Sequence, residues 1–600
     1  MMQKIGGTLF LFALGVFLFL LADSNFRLSR EVLESRISKT YHREIILEKA
    51  VENDLLNKTY PSGFEYISQL KNALKAAQKA QEDAAKIVDW KATAIPQGTA
   101  EWDFRIGDGD VDAYLFSLTK NANRGLAAKQ PMWMFFLTIG FGILGGLLYN
   151  FPKFQHLPGI RNNGIYQSTL TRGLRFGWRA FFLTAVISGV FVAGYFKSGA
   201  LALYFLVIGF VVAALVRQAE KKENSGNPRS GSPQKTGWLG ILIGVLFIGF
   251  YVALYWFPEY LSSWILLVDP LSKFLSGNEA SQWFLYGFLY TVVILVMGFR
   301  MIGKYRNNRY QMLRTASVMF FQTAFAFLIP EILVRLNQPY FDFKNMWPLD
   351  YDFFFEWHLN SLIQSGNLGL FMLAWGILLF IVGVPLFTYF YGKRWYCSWV
   401  CGCGGLAETM GDPFRQLSDK SLRAWRIERW LVHGVLLFTV VMTALVLYTY
   451  FTGKSQLFGF DTYHFRSWYG FLIGSAFAGV VGTGFYPLMG NRVWCRFGCP
   501  LAAYLGLIQK FKSRFRITVN GGQCISCGNC STYCEMGIDV RWYAQRGQDV
   551  VRASCVGCGI CAAVCPRGVL RLENAAADVS SRAEFPRTIH ISENEIRLLS

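Results

Sequence analysis

The chain has 600 residues, of which 53% are hydrophobic and only 16% are charged, and this composition excludes a soluble globular protein. The formal net charge of +20 would suit a nucleic-acid-binding protein, but the basic residues lie in short clusters beside apolar runs, where the positive-inside effect places them. We therefore expect an α-helical polytopic membrane protein that contacts the lipid bilayer and has no nucleic-acid partner.

The first segment, residues 1–22, is an apolar run that begins after Lys4. It fits either a cleaved signal peptide or a membrane anchor helix, and the lack of a small-x-small cleavage site after it favours the anchor. Residues 23–130 are polar and rich in Ala, Gln and Lys, which predicts a mostly helical domain on the periplasmic side. Whether this domain binds a periplasmic protein partner is open.

Nine further apolar runs have the length that a bilayer requires, which predicts about ten transmembrane helices in all. These runs lie at roughly 131–149, 178–196, 200–217, 237–258, 283–302, 315–335, 367–390, 431–450 and 468–488. They divide into transmembrane regions at 131–222 and 237–490. The residues between, 223–236, are rich in Ser, Gly, Pro and Lys and predict a cytoplasmic linker.

The distribution of charge and cysteine predicts the topology. A cytoplasmic amino terminus makes the alternate loops cytoplasmic, and these loops are rich in Lys and Arg, with Arg314, Lys393 and Arg415 among them. The same topology puts all 13 cysteines, which lie between Cys397 and Cys565, on the reducing side. Both signals predict a multi-pass protein of the bacterial inner membrane whose cysteine-bearing segments are cytoplasmic.

Two cysteine pairs with the spacing C-x3-C each follow a predicted span: Cys397 with Cys401, and Cys495 with Cys499. We call these four residues the third cysteine set. A helical turn would place both thiols of a pair on one face, so two neighbouring spans could supply four thiolates to an additional metal site. Cu(I), zinc and an iron–sulfur centre suit such thiolates equally well. The alternative is that these cysteines are reduced and pack as small apolar side chains.

Residues 519–573 carry two runs of the form C-x2-C-x2-C-x3-C. In such runs three thiolates hold one iron–sulfur cube and the fourth reaches the other cube, which predicts a small α+β ferredoxin-like domain with two [4Fe–4S] clusters at the carboxyl-terminal end. The first cysteine set, for cluster 1, is Cys524, Cys527, Cys530 and Cys565. The second cysteine set, for cluster 2, is Cys555, Cys558, Cys561 and Cys534. Structural zinc is the weaker alternative because both runs are complete.

The segment 491–518 joins the second C-x3-C pair to this domain. The four basic residues between Cys499 and the ferredoxin domain are expected to contact anionic lipid headgroups. They are Lys510, Lys512, Arg514 and Arg516. Residues 574–600 form a polar tail.

Few other residues indicate a cofactor. His433 is the one His within a predicted span and no C-x-x-C-H occurs, so the sequence does not support haem. His433 itself is either a quinone-binding or a structural residue.

Two further features have alternative interpretations. Glu331 either relays protons or pairs with Arg335. The aromatic-rich loop 337–365 is either an interfacial aromatic belt or a surface for docking or for quinone binding.

Two C-x3-C motifs followed by a two-cluster ferredoxin domain resemble the membrane-bound polyferredoxins related to NosR, NapH and CcoG, over roughly residues 371–573. The first motif departs from that group, because Gly402 and Cys403 stand where Pro usually follows the second Cys. The NosR type carries a covalent flavin in an S/T-G-A-T signature. That signature is absent from residues 27–129, so we expect no covalent flavin.

The expected function is that of an integral inner-membrane iron–sulfur protein. It would pass electrons between the quinone pool or a partner redox complex and cytoplasmic-side [4Fe–4S] clusters, in support of a periplasmic reductase. Whether it is a quinol-dependent oxidoreductase or an electron-transfer subunit is open. The alternative, which the copper-handling relatives imply, is a copper reduction or assembly factor for a respiratory metalloenzyme. A redox sensor that signals through residues 27–129 is a weaker third hypothesis.

Overall fold

The computed structural model describes most of the chain. The described residues are 2–23, 25–87, 105–154, 238–306, 308–454, 456–457, 460–574, 588–592 and 595–599. The predicted linker at 223–236 and the apolar runs at 178–196 and 200–217 lie outside them, as does most of the polar tail.

Among the described residues, six helices are long and apolar enough to cross a membrane. They are Met2–Ala22, Pro131–Asn150, Gln282–Lys304, Arg309–Arg335, Gly366–Tyr391 and Leu422–Thr452. The run predicted at 237–258 belongs to two apolar helices, Gly240–Trp256 and Pro258–Leu275, that meet at a bend of 112° and would count as a seventh span if they act together.

The expected count of ten spans is therefore not confirmed. The last predicted run, 468–488, does form helical structure in Thr462–Tyr469, Gly470–Val481 and Gly482–Gly484, but it is not among the six. Five glycines between residues 470 and 484 lower its mean hydropathy. Helices of this length and apolar character are typical of a membrane protein.

The described residues divide into two compact units. The first unit draws on Met1–Leu157, Phe247–Lys304 and Gln322–Asp342. Its polar part contains the helices Arg30–Arg36, Thr40–Glu52, Gly63–Ile87, Asp108–Ala122 and Leu126–Lys129. Two short strands, Phe26–Arg27 and Thr59–Tyr60, pair antiparallel beside them. Leu28, Leu33, Leu70 and Leu118 lie in the buried core that these helices share.

The second unit draws on the described parts of Pro158–Leu246, Tyr305–Phe321 and Phe343–Ser600, and it holds every cysteine. Its shorter helices are Glu356–Gln364, Arg394–Cys397, Gly402–Thr409, Tyr486–Met489 and Pro500–Lys512. The ferredoxin segment adds the helices Asn529–Thr532, Val540–Gln545 and Ile560–Ala563. Antiparallel strand pairs are Gln456–Leu457 with Phe460–Asp461, Arg516–Val519 with Leu570–Glu573, and Thr588–Ser592 with Glu595–Leu599.

Candidate iron–sulfur site

The two ends of the ferredoxin segment are held together by one strand pair. Arg516–Val519 runs antiparallel to Leu570–Glu573, with Val519 opposite Leu570. This register brings the start of the first cysteine run next to the end of the second, so Cys524 and Cys565 come close although 40 residues separate them.

The two cysteine runs adopt the same local conformation. Ser526 and Gly557 have φ of +58° and +61°, and Gly528 and Gly559, which follow the second cysteine of each run, have φ of +79° and +73°. A left-handed residue at these positions turns the backbone around the sulfur atoms, and glycine adopts that conformation without steric cost. A short helix then starts immediately after Gly528 and Gly559.

The first and second cysteine sets each line one cavity. The first cavity is lined by Cys524, Cys527, Cys530 and Cys565. The second is lined by Cys534, Cys555, Cys558 and Cys561. Each cavity thus receives three cysteines from one run and the fourth from the other, which is the arrangement that a two-cluster ferredoxin needs.

The second cavity is the more enclosed of the two. Cys555 and Cys561 are buried, whereas Cys527 of the first cavity is exposed. Burial raises the pKa of the Cys555 thiol to about 11, against a hydrogen bond from the Gly557 amide that lowers it. The amide of Ile538 donates to the Cys534 sulfur at 3.3 Å. Amide hydrogen bonds of this kind compensate the negative charge of thiolate ligands.

Side chains from the rest of the unit fix the loop around the second cavity. Each of the four consecutive carbonyls of residues 555–558 accepts a hydrogen bond from a side chain outside the ferredoxin segment. In the order of the acceptors, the donors are Gln509 (2.8 Å), Ser398 (2.7 Å), Tyr310 (2.9 Å) and Gln311 (2.8 Å). Among the described residues, none donates a side-chain hydrogen bond to the carbonyls of residues 524–527, so the first loop is not held in this way.

The two C-x3-C pairs have matching geometry. Cys401 is the N-cap of helix Gly402–Thr409 and Cys499 is the N-cap of helix Pro500–Lys512. The Ala502 amide donates to the Cys499 sulfur at 3.4 Å, and the Gly404 amide donates to the Cys401 thiol. Gly402 therefore occupies the first helical position that Pro500 occupies in the second motif, a position that tolerates both residues.

The third cysteine set is brought together in one buried core, where all four thiols are buried. Cys403, which the sequence left without a role, shares a hydrogen bond with Cys401, and this bond lowers the pKa of Cys401 to about 6 although burial opposes it. Burial raises the pKa of Cys397 to about 12, which the neighbouring cation Lys393 moderates.

The spacing of the sulfurs distinguishes between kinds of metal centre. Tetrahedral zinc with sulfur at about 2.3 Å requires ligand sulfurs only about 3.8 Å apart. Among the described residues, the only three metal-binding side chains with ligand atoms all within 4.8 Å of one another are Glu408, Glu535 and Cys558. Among the described residues, no three sulfurs therefore lie within 4.8 Å of one another. Thiolates that each bind a different iron of a cluster stand farther apart, and the chemistry of these donor sets fits iron–sulfur groups.

A buried ion network lies beside the second and third cysteine sets, and sequence reasoning missed it. Arg415 contacts Glu535 at 2.9 Å and Glu408 at 3.1 Å, and Arg492 contacts the same carboxylates at 3.1 and 2.7 Å. Arg314 also contacts Glu408, and Asp412 lies 3.4 Å from Arg415.

Every side chain of this network is at most 5% exposed, so the ions are shielded from water. Burial alone would raise the pKa of Glu408, but its three arginine neighbours hold that pKa well below its usual range. Because guanidinium groups already neutralise Glu408 and Glu535, their approach to Cys558 does not form a metal site.

Other sequence candidates take structural contacts. The ring of His433 bonds to the Arg429 carbonyl of its own helix at 2.8 Å. Glu331 accepts a hydrogen bond from Ser276, whereas Arg335 donates to the Phe274 carbonyl.

The aromatic loop packs largely inward. Phe353 is buried against neighbouring rings, and the Trp347 indole donates to Thr443 at 2.9 Å. Tyr340 and Trp357 remain exposed.

Of the basic interfacial residues, Lys510 and Lys512 are exposed at the end of their helix, consistent with a surface position. Arg514 lies over the Tyr389 ring and Arg516 lies 4.0 Å from Asp549.

Comparison with known proteins connects both cysteine regions to iron–sulfur chemistry. A family model described as a 4Fe-4S binding domain matches residues 373–421 and 470–518, which contain the third cysteine set. A second model, described as a 4Fe-4S dicluster domain, matches residues 523–570, which contain the first and second cysteine sets. Ferredoxin-type 4Fe–4S domains therefore account for this part of the chain.

Three curated relatives are similar to part of this chain. YccM of Escherichia coli (strain K12), whose name describes an electron transport protein, is 28% identical over 170 residues, or 25% of this chain and 43% of that protein. MauN of Paracoccus denitrificans, a methylamine utilization ferredoxin-type protein, is 27% identical over 26% of this chain and 53% of its own length. MauN of Methylobacillus flagellatus is 27% identical over 27% of this chain and 56% of its own length.

The chain thus spans about half the length of the curated relatives it matches, and no solved structure matches it. The 4Fe–4S domains, together with relatives named for electron transport and ferredoxin-type proteins, support iron–sulfur electron transfer in a chain with apolar, membrane-type helices.

Proposed function

We propose that this chain is a membrane electron-transfer protein with three iron–sulfur groups, one in each cysteine set. The observation that carries the proposal is that the second and third sets belong to one buried core and contact each other through their flanking residues. Ser398, next to Cys397, donates to the carbonyl of Val556, next to Cys555, at 2.7 Å. Lys393 lies close enough to lower the pKa of both Cys397 and Cys555.

The residues of this chain would bind and enclose the groups. When bound, an iron–sulfur cluster takes up and releases single electrons. The first set would hold cluster 1 at the surface, the second would hold cluster 2 under a loop fixed by four side chains, and the third would hold an additional group between the two helix N-termini. The buried side chains of the unit exclude water from the second and third sets.

We further propose the inner membrane as the location, with about ten spans and the cysteines on the cytoplasmic side, as the loop charges indicate. The electron source or acceptor would be quinol, quinone or a partner redox complex, in support of a periplasmic reductase. The resemblance to NosR and NapH supports this assignment.

A second candidate function is copper reduction or handover, as in the relatives of CcoG. The hydrogen-bonded pair Cys401 and Cys403 favours it, because two neighbouring thiols form a soft site that suits Cu(I). Cys401 would then serve copper rather than iron.

Metal and sulfide analysis of the purified protein separates these functions. Two [4Fe–4S] clusters contain about eight irons, and a third would raise the content to about twelve. We expect Cys495→Ala to lower the iron content by about four, and Cys403→Ala to leave it unchanged. Low-temperature electron paramagnetic resonance after addition of a reduced quinol should show interacting [4Fe–4S] signals.

Three results would contradict the proposal in distinguishable ways. An unchanged iron content in Cys495→Ala would remove the third group. Clusters that remain oxidised with quinol would remove the quinone assignment. Copper bound in proportion to the protein and lost in Cys403→Ala would favour the assembly function.

A further inference from the structure

The two ferredoxin loops differ sharply in exposure at equivalent positions. Ile525 and Val556 each follow the first cysteine of a run, but Ile525 is 56% exposed and Val556 is 1% exposed. Cys527 is likewise exposed, whereas the loop around the second cavity is covered by Ser398, Tyr310, Gln311 and Gln509. The first cavity therefore lies at an edge of the second unit, where a group bound by its cysteines would be nearer to solvent than a group in the second cavity.

Positive charge surrounds this edge. Arg541 and Arg567 line the first cavity together with Ile525 and Pro566. The charged residues of 519–574 are five arginines and four acids. The exposed ones among them are Arg546, Arg567 and Arg571.

Of the acidic residues of this segment, Glu535 is buried and the other three are partly buried and hydrogen-bonded or paired. Glu535 is buried in the ion network, Asp539 accepts from the Ser531 hydroxyl at 2.6 Å, and Asp549 accepts from the Val519 amide at 3.1 Å. Glu573 is partly buried in the strand pair. The exposed charge around the first cavity is consequently positive.

We propose that this edge is the docking surface for an acidic, one-electron carrier protein. The proposal rests on the proposed function and adds the class of partner. Ile525 and Pro566 form an exposed apolar centre, and Arg541 and Arg567 form a basic rim around it. This pattern is typical of a transient interface whose charges steer the encounter between the partners. The cluster held by the exposed Cys527 would exchange one electron with the flavin or metal of the carrier, so one is oxidised as the other is reduced.

The test uses the full chain in nanodiscs of uncharged lipid and a flavodoxin, an acidic flavin protein, as the probe. Binding of labelled flavodoxin is measured at increasing salt, and then the rate at which the reduced protein reduces it is measured. Cytochrome c, a basic carrier, is the opposite-charge comparison, and p-benzoquinone is the uncharged one.

We expect flavodoxin binding to weaken as salt rises and to fall about tenfold in the double variant Arg541→Gln and Arg567→Gln. The rate with p-benzoquinone, measured on the same variant, separates a loss of docking from any effect of these cavity-lining substitutions on cluster 1. The variant Lys75→Gln with Lys79→Gln removes the same charge from exposed positions of the first unit and should bind flavodoxin normally. If the first variant loses its cluster signals, Arg546→Gln with Arg571→Gln replaces it.

Equal binding of flavodoxin by variant and wild type, with cluster signals intact, would overturn the docking proposal alone. Tighter binding of cytochrome c than of flavodoxin would also overturn it. A third outcome is that the basic rim binds anionic lipid in nanodiscs, that the arginine variants lose this binding, and that flavodoxin does not bind. This outcome would assign the surface to lipid headgroups instead. Absence of reducible clusters in the wild type would contradict the proposed function, which is a separate outcome.

Discussion

Arg492 donates to the Glu408 carboxylate at 2.7 Å from one end of its guanidinium, while the other end contacts the Cys397 carbonyl at 3.1 Å and the Cys495 sulfur at 3.7 Å. One side chain therefore joins the buried ion network to both C-x3-C pairs. The network holds three arginines and three carboxylates, so its formal charge is balanced only while every member is present.

Removal of Arg492 should unbalance this network. We expect Arg492→Gln to destabilise the second unit by roughly 3–5 kcal/mol, because the buried carboxylates Glu408 and Glu535 each lose one of the guanidinium groups that neutralise them. Thermal unfolding in detergent and iron content measure the effect. The control Arg30→Gln breaks an exposed pair with Glu34 and should cost at most about 1 kcal/mol. Equal stability of the two variants would show that the network contributes little.

A buried cation between the second and third cysteine sets should affect both. Lys393 is 2% exposed, and burial raises the pKa of Cys397 and Cys555 while the charge of Lys393 opposes that rise. We expect Lys393→Met to lower the reduction potential of the group held by the second set by roughly 60 mV, or about 1.4 kcal/mol for one electron, because reduction adds negative charge. Potentiometric titration followed by electron paramagnetic resonance measures it. Lys510→Met, at an exposed position, should leave the potential unchanged, and a rise in Lys393→Met would refute the electrostatic argument.

The grouping of the ferredoxin cysteines around two cavities could be predicted because it is encoded in local spacing. The cysteines of each C-x2-C-x2-C-x3-C run, and the crossing of Cys534 and Cys565 to the other cavity, follow from a motif whose geometry is nearly independent of the rest of the chain. The matched C-x3-C pairs were recognisable for the same reason. The second cysteine of each pair, Cys401 or Cys499, is also a helix N-cap. This shared position could not be recognised, because Gly402 stands where the second motif has Pro500.

The ion network could not be predicted, because its members come from four separate stretches of sequence. The positive charge of the loops that contain Arg314, Lys393 and Arg415 was used to predict the topology. In the structure, all three side chains are buried. Their charge has a structural use, so the proposed orientation rests on the other Lys and Arg residues of these loops. The available signal was Glu535, an acid directly after Cys534 in a basic region, together with Glu408 soon after Cys403.

The match between the two C-x3-C motifs predicts opposite outcomes for two neighbouring glycines. Cys401 has φ −64° and ψ 128°, which suits a residue before proline, so Gly402→Pro should change the free energy of unfolding by less than about 1 kcal/mol. A Cβ atom on Gly404 would lie 2.1 Å from the Cys397 carbonyl oxygen, so Gly404→Ala should force the first C-x3-C turn apart. Unfolding midpoints and iron content compare them. Tolerance of Gly404→Ala would disprove this close approach.

In the first unit, a partly buried carboxylate should make stability depend on pH. Burial raises the pKa of Glu279, but the hydrogen bond from Arg36 at 2.7 Å and the charge of Lys120 outweigh it and leave the pKa below its usual value of 4.5. A carboxylate whose folded pKa is lowered stabilises the fold fully above its unfolded pKa, and that contribution is lost as pH falls toward the folded pKa. Unfolding measured between about pH 6 and 3 should therefore show an acid-dependent loss that begins near pH 4.5. In Glu279→Gln the first unit should be less stable at pH 6 and its pH dependence flatter. An acid limb that keeps the wild-type slope in this variant would assign the dependence to other carboxylates.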